Sequence, residues 1–183
     1  MEKFIARLKS SISFQLLTIL VRYMLGTAFG WASILKVKGI RFEPQSGEHA
    51  PIHSVSHLLE SMYQSGFYWY FIGWAQFLAG FLIMSQVFST LGAVVYFPII
   101  LSICILTTAF EAPAFLLMTS SMLLANFYLL LWDWNRLKFI VLNKPGPFVD
   151  QAAGFSRHKI WTYTGIVLFL IITIYRFLST GPN

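Results

Sequence analysis

Five long apolar segments, joined by short polar connectors, make up most of this chain. A helix of about 17 to 25 residues crosses the hydrocarbon core of a bilayer at a rise of about 1.5 Å per residue, and every segment has a length in that range. The segments are residues 13–35, 67–87, 91–110, 112–132 and 160–177. The pattern predicts an all-α integral membrane bundle, organised as a single membrane domain over residues 1–183.

The first segment carries a stripe of polar and small residues along one helical face. Its members recur every three or four residues, which places them one above another on a helix. They are Gln15, Thr18, Arg22, Gly26, Gly30 and Ser33. An arginine near mid-membrane costs about 2.5 to 3.5 kcal/mol on insertion scales, so Arg22 is expected to point into the bundle and away from lipid.

The second segment has a matching face of small residues. Gly73, Gln76 and Gly80 share this face, and we expect it to pack on the face of the first segment that carries Gly26 and Gly30. Glycines allow two helix backbones to approach closely, and an amide between them can hydrogen-bond across the interface.

The fourth segment places Thr119, Asn126 and Asp133 seven residues apart, and therefore on one face. We hypothesise that Arg22 is held by Asn126 and Asp133, with Gln76 as a further polar neighbour. Two interpretations of this polar seam are open. It is either a structural clamp that fixes helix register, which is the favoured interpretation, or a ligand-binding centre, since ionisable groups inside membranes often mark functional sites.

The longest connector contains a short amphipathic stretch that follows Pro51. Ser54 is a suitable N-cap, and four apolar residues then lie on one face. These are Val55, Leu58, Leu59 and Met62. We expect a short interfacial helix in the external loop.

Composition supports a membrane protein and argues against a soluble domain. The chain has 183 residues, of which 57% are hydrophobic and 11% charged, and such a balance is typical of polytopic bundles. The single cysteine, Cys104, excludes an internal disulfide or a dithiol relay within this chain.

The net charge of +6 is interpreted as a topology signal, and no nucleic-acid partner is expected. With five spans, eight basic residues fall on one side of the membrane: Lys3, Arg7, Lys9, Arg136, Lys138, Lys144, Arg157 and Lys159. Four fall on the other: Lys36, Lys38, Arg41 and Arg176. The excess predicts a cytoplasmic N-terminus and an external C-terminus.

Metal-binding and catalytic patterns are weak. His49, His53 and His57 are four residues apart and precede Glu60, but Pro51 interrupts a continuous helix, so only His57 and Glu60 are weak metal candidates. Solvated loop histidines are the favoured interpretation. The sequence has no phosphate-binding loop, nucleophile elbow or paired carboxylates in an apolar segment, which argues against an autonomous hydrolase or kinase.

Three stretches resemble DoxX-type membrane proteins. They are RYMLGTAFGWASILKVKG (22–39), GWAQFLAGFLIMSQVFSTLGAVVYFPIILSICIL (73–106) and LLANFYLLLW (123–132). Arg22, Lys36 and Gly80 fit the pattern, whereas Gln76 stands where such proteins often carry glutamate. The resemblance implies a four-helix core in residues 13–140 and a bacterial inner-membrane location. The fifth span, 160–177, extends beyond that core and is expected to be peripheral.

Three functions follow as hypotheses. The first is a non-catalytic accessory subunit that binds partner membrane or envelope proteins, or a second copy of itself. The second, implied by the resemblance to a family with quinone-linked redox members, is an oxidoreductase subunit that binds quinone near Arg22, Gln76 and Asn126. The third, which ranks below these two, is transport or binding of a small lipid-like molecule.

Overall fold

The computed structural model describes residues 9–110, 112–141 and 159–179, and all regular structure within them is helical. The helices are α1 (Ile12–Val37), α2 (Val55–Gln64), α3 (Phe67–Met84), α4 (Ser89–Ala109), α5 (Pro113–Trp132), α6 (Trp134–Val141) and α7 (Lys159–Ser179). Among the described residues, five helices are long and apolar enough to cross a membrane: α1, α3, α4, α5 and α7. The predicted all-α bundle is confirmed, and the chain is a multi-pass membrane protein whose apolar outer faces contact lipid.

The two ends of the bundle differ in what they carry. One end, called the loop end, carries residues 38–66 with α2, together with the turn between α4 and α5. The other, called the turn end, carries the short turn between α3 and α4 and the junction of α5 with α6.

Helices α1 and α3 share the most extensive contact of any described helix pair. A methyl group added to Gly80 would lie only 2.9 Å from the carbonyl oxygen of Gly26 and 3.3 Å from the backbone nitrogen of Gly30. A methyl group on Gly73 would lie 2.7 Å from the Cβ of Lys36. The structure therefore brings the glycine faces of the first two spans together, and the absence of side chains at this crossing is what permits the approach.

The core lies where α1, α3, α4 and α5 meet. The rings of Phe29 and Tyr96 stack there with centroids 3.6 Å apart, and Ile83, Ala93 and Leu129 belong to the same buried cluster. One apolar layer thus joins the four helices.

Helix α7 packs on the outside of this group, against α1 and to a smaller extent α3. Phe169 is its main buried side chain and contacts the rings of Phe77 and Phe81, with centroids 4.9 and 5.5 Å away. Gly30 lies beneath the same ring. The face of α7 that points away from the bundle is apolar and exposed.

Helix α2 lies across the loop end. Ser54 caps it by accepting a hydrogen bond from the backbone N–H of His57 at 3.2 Å, as expected for a serine N-cap.

Four of the basic residues from which the membrane orientation was predicted lie outside the described residues. They are Lys3, Arg7, Lys144 and Arg157.

Candidate functional site

A buried polar cluster at the turn end is built around Arg22. Its guanidinium donates from Nη1 to Oε1 of Gln86 at 2.9 Å and from Nη2 to Oδ2 of Asp133 at 3.4 Å. The same carboxylate oxygen accepts a hydrogen bond from Thr90 at 2.8 Å, and Arg136 donates to the Thr90 hydroxyl at 3.3 Å. Four elements therefore meet at this cluster: α1, the α3–α4 hairpin, the end of α5, and α6.

The Gln86 backbone is held in an unusual conformation to reach Arg22. Its φ of 59° lies in the left-handed region, which costs a non-glycine residue roughly 1 to 2 kcal/mol. The residue belongs to the short turn that joins α3 to α4. The hydrogen bond to a charged donor offsets this local strain.

The predicted polar seam is only partly present. Arg22 and Asp133 do meet, but the hypothesis that Asn126 holds Arg22 is wrong. Asn126 Oδ1, the atom that could accept from a guanidinium, has no hydrogen-bond partner among the described residues, and its Nδ2 donates to the Ala93 carbonyl at 3.3 Å. Gln76 is not a hydrogen-bond partner of Arg22 either, and lines a different site. Arg22 also lies level with the α3–α4 turn, where Gln86 accepts its second hydrogen bond.

The chemistry available at the Arg22 cluster is structural. An arginine cannot lose its proton at any ordinary pH, and its charge is balanced here by one carboxylate. Both side chains of the pair are less than a tenth exposed. Among the described residues the cluster has one carboxylate, and its Oδ2 accepts from both Arg22 and Thr90, so the geometry favours the clamp interpretation.

A second site lies at the loop end, where an apolar cavity of about 150 Å³ opens beneath α2. We call it the Lys36 cavity. The predicted apolar face of α2 forms its cover, and α1, α3, α4 and α5 supply its walls. Its lining includes Val55, Leu58, Leu59, Met62, Phe29, Ile100, Ile103, Met118 and Met122.

The polar residues that line the Lys36 cavity are Lys36, Gln76, Thr107 and Thr119, all of them buried, and the two threonine hydroxyls hydrogen-bond each other at 3.0 Å. Lys36, in the last turn of α1, is 6% exposed, and Gln76 of α3 is 3% exposed. The Lys36 amine donates to the carbonyl of Ala32 at 3.2 Å and lies over the rings of Phe42 and Trp69, 4.9 and 5.2 Å from their centroids. Such contacts with aromatic faces stabilise a buried cation.

The location of Lys36 differs from the prediction, which placed it in the connector after the first span. The assignment to a connector is wrong, because α1 continues to Val37 and Lys36 lies inside the helix. The residue extends the polar stripe of the first segment by one more step of three from Ser33. That periodicity was the signal by which it could have been found.

Of the two weak metal candidates, Glu60 has a structural role. Glu60 binds Arg41 through both carboxylate oxygens, with Nε to Oε2 at 3.0 Å and Nη2 to Oε1 at 3.1 Å. It also accepts from the Gly47 backbone at 3.3 Å and from Gln64 at 3.2 Å. These bonds, those from Arg41 foremost, hold the pKa of Glu60 below its usual range.

Within the parts of the chain that the structure describes, no group of three His, Cys, Asp or Glu residues could hold a metal ion. His57 lies on the same helix as Glu60, but the Glu60 oxygens are engaged with Arg41. The pair of Arg41 and Glu60 instead ties the loop after α1 to α2, and so holds the cover of the Lys36 cavity in place.

Comparison of the chain with protein-family models, with curated proteins and with solved structures finds no match. The case for a function therefore depends on the geometry of the two sites.

Proposed function

We propose that this protein is a non-catalytic subunit of a membrane assembly that holds a small, mostly apolar molecule in the Lys36 cavity. The observation that supports it is the cavity itself, about 150 Å³ in volume, apolar-walled and covered by α2. An engineered cavity of this size in another protein binds benzene, so the volume suits a single ring or a short chain. Pockets that bind small molecules commonly combine apolar walls with a few fixed polar groups.

The accessory role extends the DoxX resemblance. We propose that the protein works in the bacterial inner membrane, with a cytoplasmic N-terminus, and presents its ligand to a partner membrane or envelope protein or to a second copy of itself. The basic residues near the turn end support this orientation, which places the Lys36 cavity on the external side. Reporter fusions after residues 9 and 183 would test the two ends separately.

A quinone-linked redox subunit is the second candidate. The volume of the Lys36 cavity favours it, since a six-membered ring is about the size of benzene. The site would differ from the one predicted, because Arg22, Gln76 and Asn126 do not converge. In the proposed site Lys36 would donate to a quinone carbonyl.

The test is to identify what the cavity holds in native membranes. We would extract the protein in polymer-bounded native nanodiscs and identify bound small molecules and proteins by mass spectrometry. Ile103→Trp would fill the cavity, and Ile105→Trp is the matched control, because Ile105 is 60% exposed on the outer face of the same helix.

A small molecule present with the control and absent with Ile103→Trp is the expected result. Recovery of a quinone would favour the redox candidate. Identical small-molecule contents in the two variants would refute the proposed use of the cavity, and absence of any stoichiometric partner or self-association would refute the accessory role.

A further inference from the structure

The Lys36 cavity combines apolar walls with two side chains that can donate hydrogen bonds to a ligand, Lys36 and Gln76. Its walls are formed by aliphatic, aromatic and methionine side chains, yet a primary amine and a primary amide lie within it. The walls favour an apolar ligand, and the polar groups determine the kind of polar head group that such a ligand carries.

Lys36 has no carboxylate partner among the residues that the structure describes. The two ion pairs found there are Arg22 with Asp133 and Arg41 with Glu60. The Lys36 amine makes one hydrogen bond, to the Ala32 carbonyl, and an ammonium can donate three. A cation buried away from water is costly unless an anion pairs with it, so the cavity is complementary to a negative charge.

Gln76 adds a second reason to expect a polar head. Its Oε1 is buried and accepts no hydrogen bond from the described residues. A primary amide also carries two N–H donors, and those can bind an oxyanion beside an ammonium. An apolar side chain at this position would offer no such donor.

The size and charge of the site narrow the class of ligand. One lysine balances a single negative charge, and a cavity of about 150 Å³ has no room for a two-chain phospholipid. We infer that the Lys36 cavity binds a small monoanionic amphiphile, a free carboxylate with a short hydrocarbon or aryl tail. Its head lies between Lys36 and Gln76, and its tail lies among Ile100, Ile103 and Met122.

This inference rests on the proposed binding function and specifies its ligand. The test compares hexanoate with hexan-1-ol, which has the same chain length and no charge. Binding would be measured by saturation-transfer NMR in zwitterionic nanodiscs at neutral pH, with protein-free nanodiscs subtracted to remove partition into lipid. Hexanoate is expected to bind about tenfold more tightly than hexanol or better, because only its head forms a charge-assisted hydrogen bond.

The variants separate charge from shape. Lys36→Met should abolish the preference for hexanoate, whereas Lys36→Arg should keep most of it. Lys38→Met is the matched control, because it removes the same charge two residues away, at a lysine whose amine lies over the Phe177 ring. It should leave the preference for hexanoate over hexanol unchanged. Gln76→Leu should weaken the binding of hexanoate several-fold, and it provides a second test if Lys36→Met does not fold.

Each outcome decides a different point. Equal binding of hexanoate and hexanol to the wild-type protein would overturn the inference and leave the proposed function standing. Failure of both probes, with Ile103→Trp also leaving the native small-molecule content unchanged, would overturn both. Loss of hexanoate binding in nanodiscs that contain phosphatidylglycerol would assign the site to a lipid headgroup, and would also overturn the inference.

Discussion

Replacing Gly80 by alanine tests the close crossing of α1 and α3. The new methyl group would lie 2.9 Å from the Gly26 carbonyl oxygen and 3.3 Å from the Gly30 nitrogen, and both atoms belong to a helix backbone that cannot rotate away. Overpacking of this kind costs about 1 to 3 kcal/mol. We therefore expect Gly80→Ala to lower the free energy of unfolding by that amount relative to a glycine-to-alanine change without a clash.

Gly30→Ala provides that reference. A methyl group there would meet the Phe169 ring at 3.4 Å, an ordinary van der Waals contact. The gain in helix propensity, about 1 kcal/mol per glycine replaced, is common to both variants and cancels in their difference. Unfolding would be followed by circular dichroism during titration of SDS into mixed micelles. Equal stability of the two variants would refute the close α1–α3 contact as a source of stability.

Three further predictions concern polar groups. Asp133→Asn should destabilise the bundle by about 2 to 3 kcal/mol in the same titration, because Arg22 keeps its buried charge and loses its ion pair. Arg41 lowers the pKa of Glu60. The ion pair between them is therefore fully present above the ordinary carboxyl pKa and is lost as pH falls through the lowered pKa. The rate of amide hydrogen exchange in α2 should rise over that acidic range. Tyr96→Phe should stabilise the bundle by about 1 kcal/mol, since the buried Tyr96 hydroxyl has no hydrogen-bond partner among the described residues.

The controls for these predictions are specific. Joint replacement of Arg22 and Asp133 by methionine and leucine should recover most of the loss caused by Asp133→Asn, and no recovery would contradict the electrostatic explanation. Glu60→Gln should abolish the rise in amide hydrogen exchange of α2 at acidic pH. A rise that persists in this variant would mean that another group causes it. A destabilised Tyr96→Phe would mean that the hydroxyl has a stabilising partner.

Periodicity predicted the elements because a bilayer permits few alternatives. A spanning segment must satisfy its backbone hydrogen bonds internally, so a run of apolar residues of sufficient length is a helix. The same spacing predicted which face of α1 points inward, and Gln15, Thr18, Arg22 and Ser33 are all buried.

Periodicity was less informative about depth. The spacing of seven put Thr119, Asn126 and Asp133 on one face, but at about 1.5 Å per residue the first and last lie roughly 21 Å apart. Only Asp133 is level with Arg22, and where α1 stands relative to the α3–α4 hairpin depends on tertiary packing. Asn126 therefore bonds Ala93 on the neighbouring helix.

The partner that the sequence did not reveal is Gln86. It lies in a turn, where no helical repeat relates one residue to the next, and its positive φ is set by the surrounding hairpin. The Lys36 cavity was missed for a related reason. Its walls come from α1, α2, α3, α4 and α5, and only the folded chain brings those helices together.

Asp133 occupies a position where two helix dipoles oppose each other. It follows the last residue of α5 and precedes the first of α6, so its carboxylate is repelled by the negative end of one helix and attracted by the positive end of the next. The two effects oppose each other, and the carboxylate is held in place by hydrogen bonds from Arg22 of α1 and Thr90 of α4. The direction that the chain takes after α5 is thus coupled to the position of α1. A ligand or partner that moves α6 would also displace α1, because Asp133 is paired with Arg22.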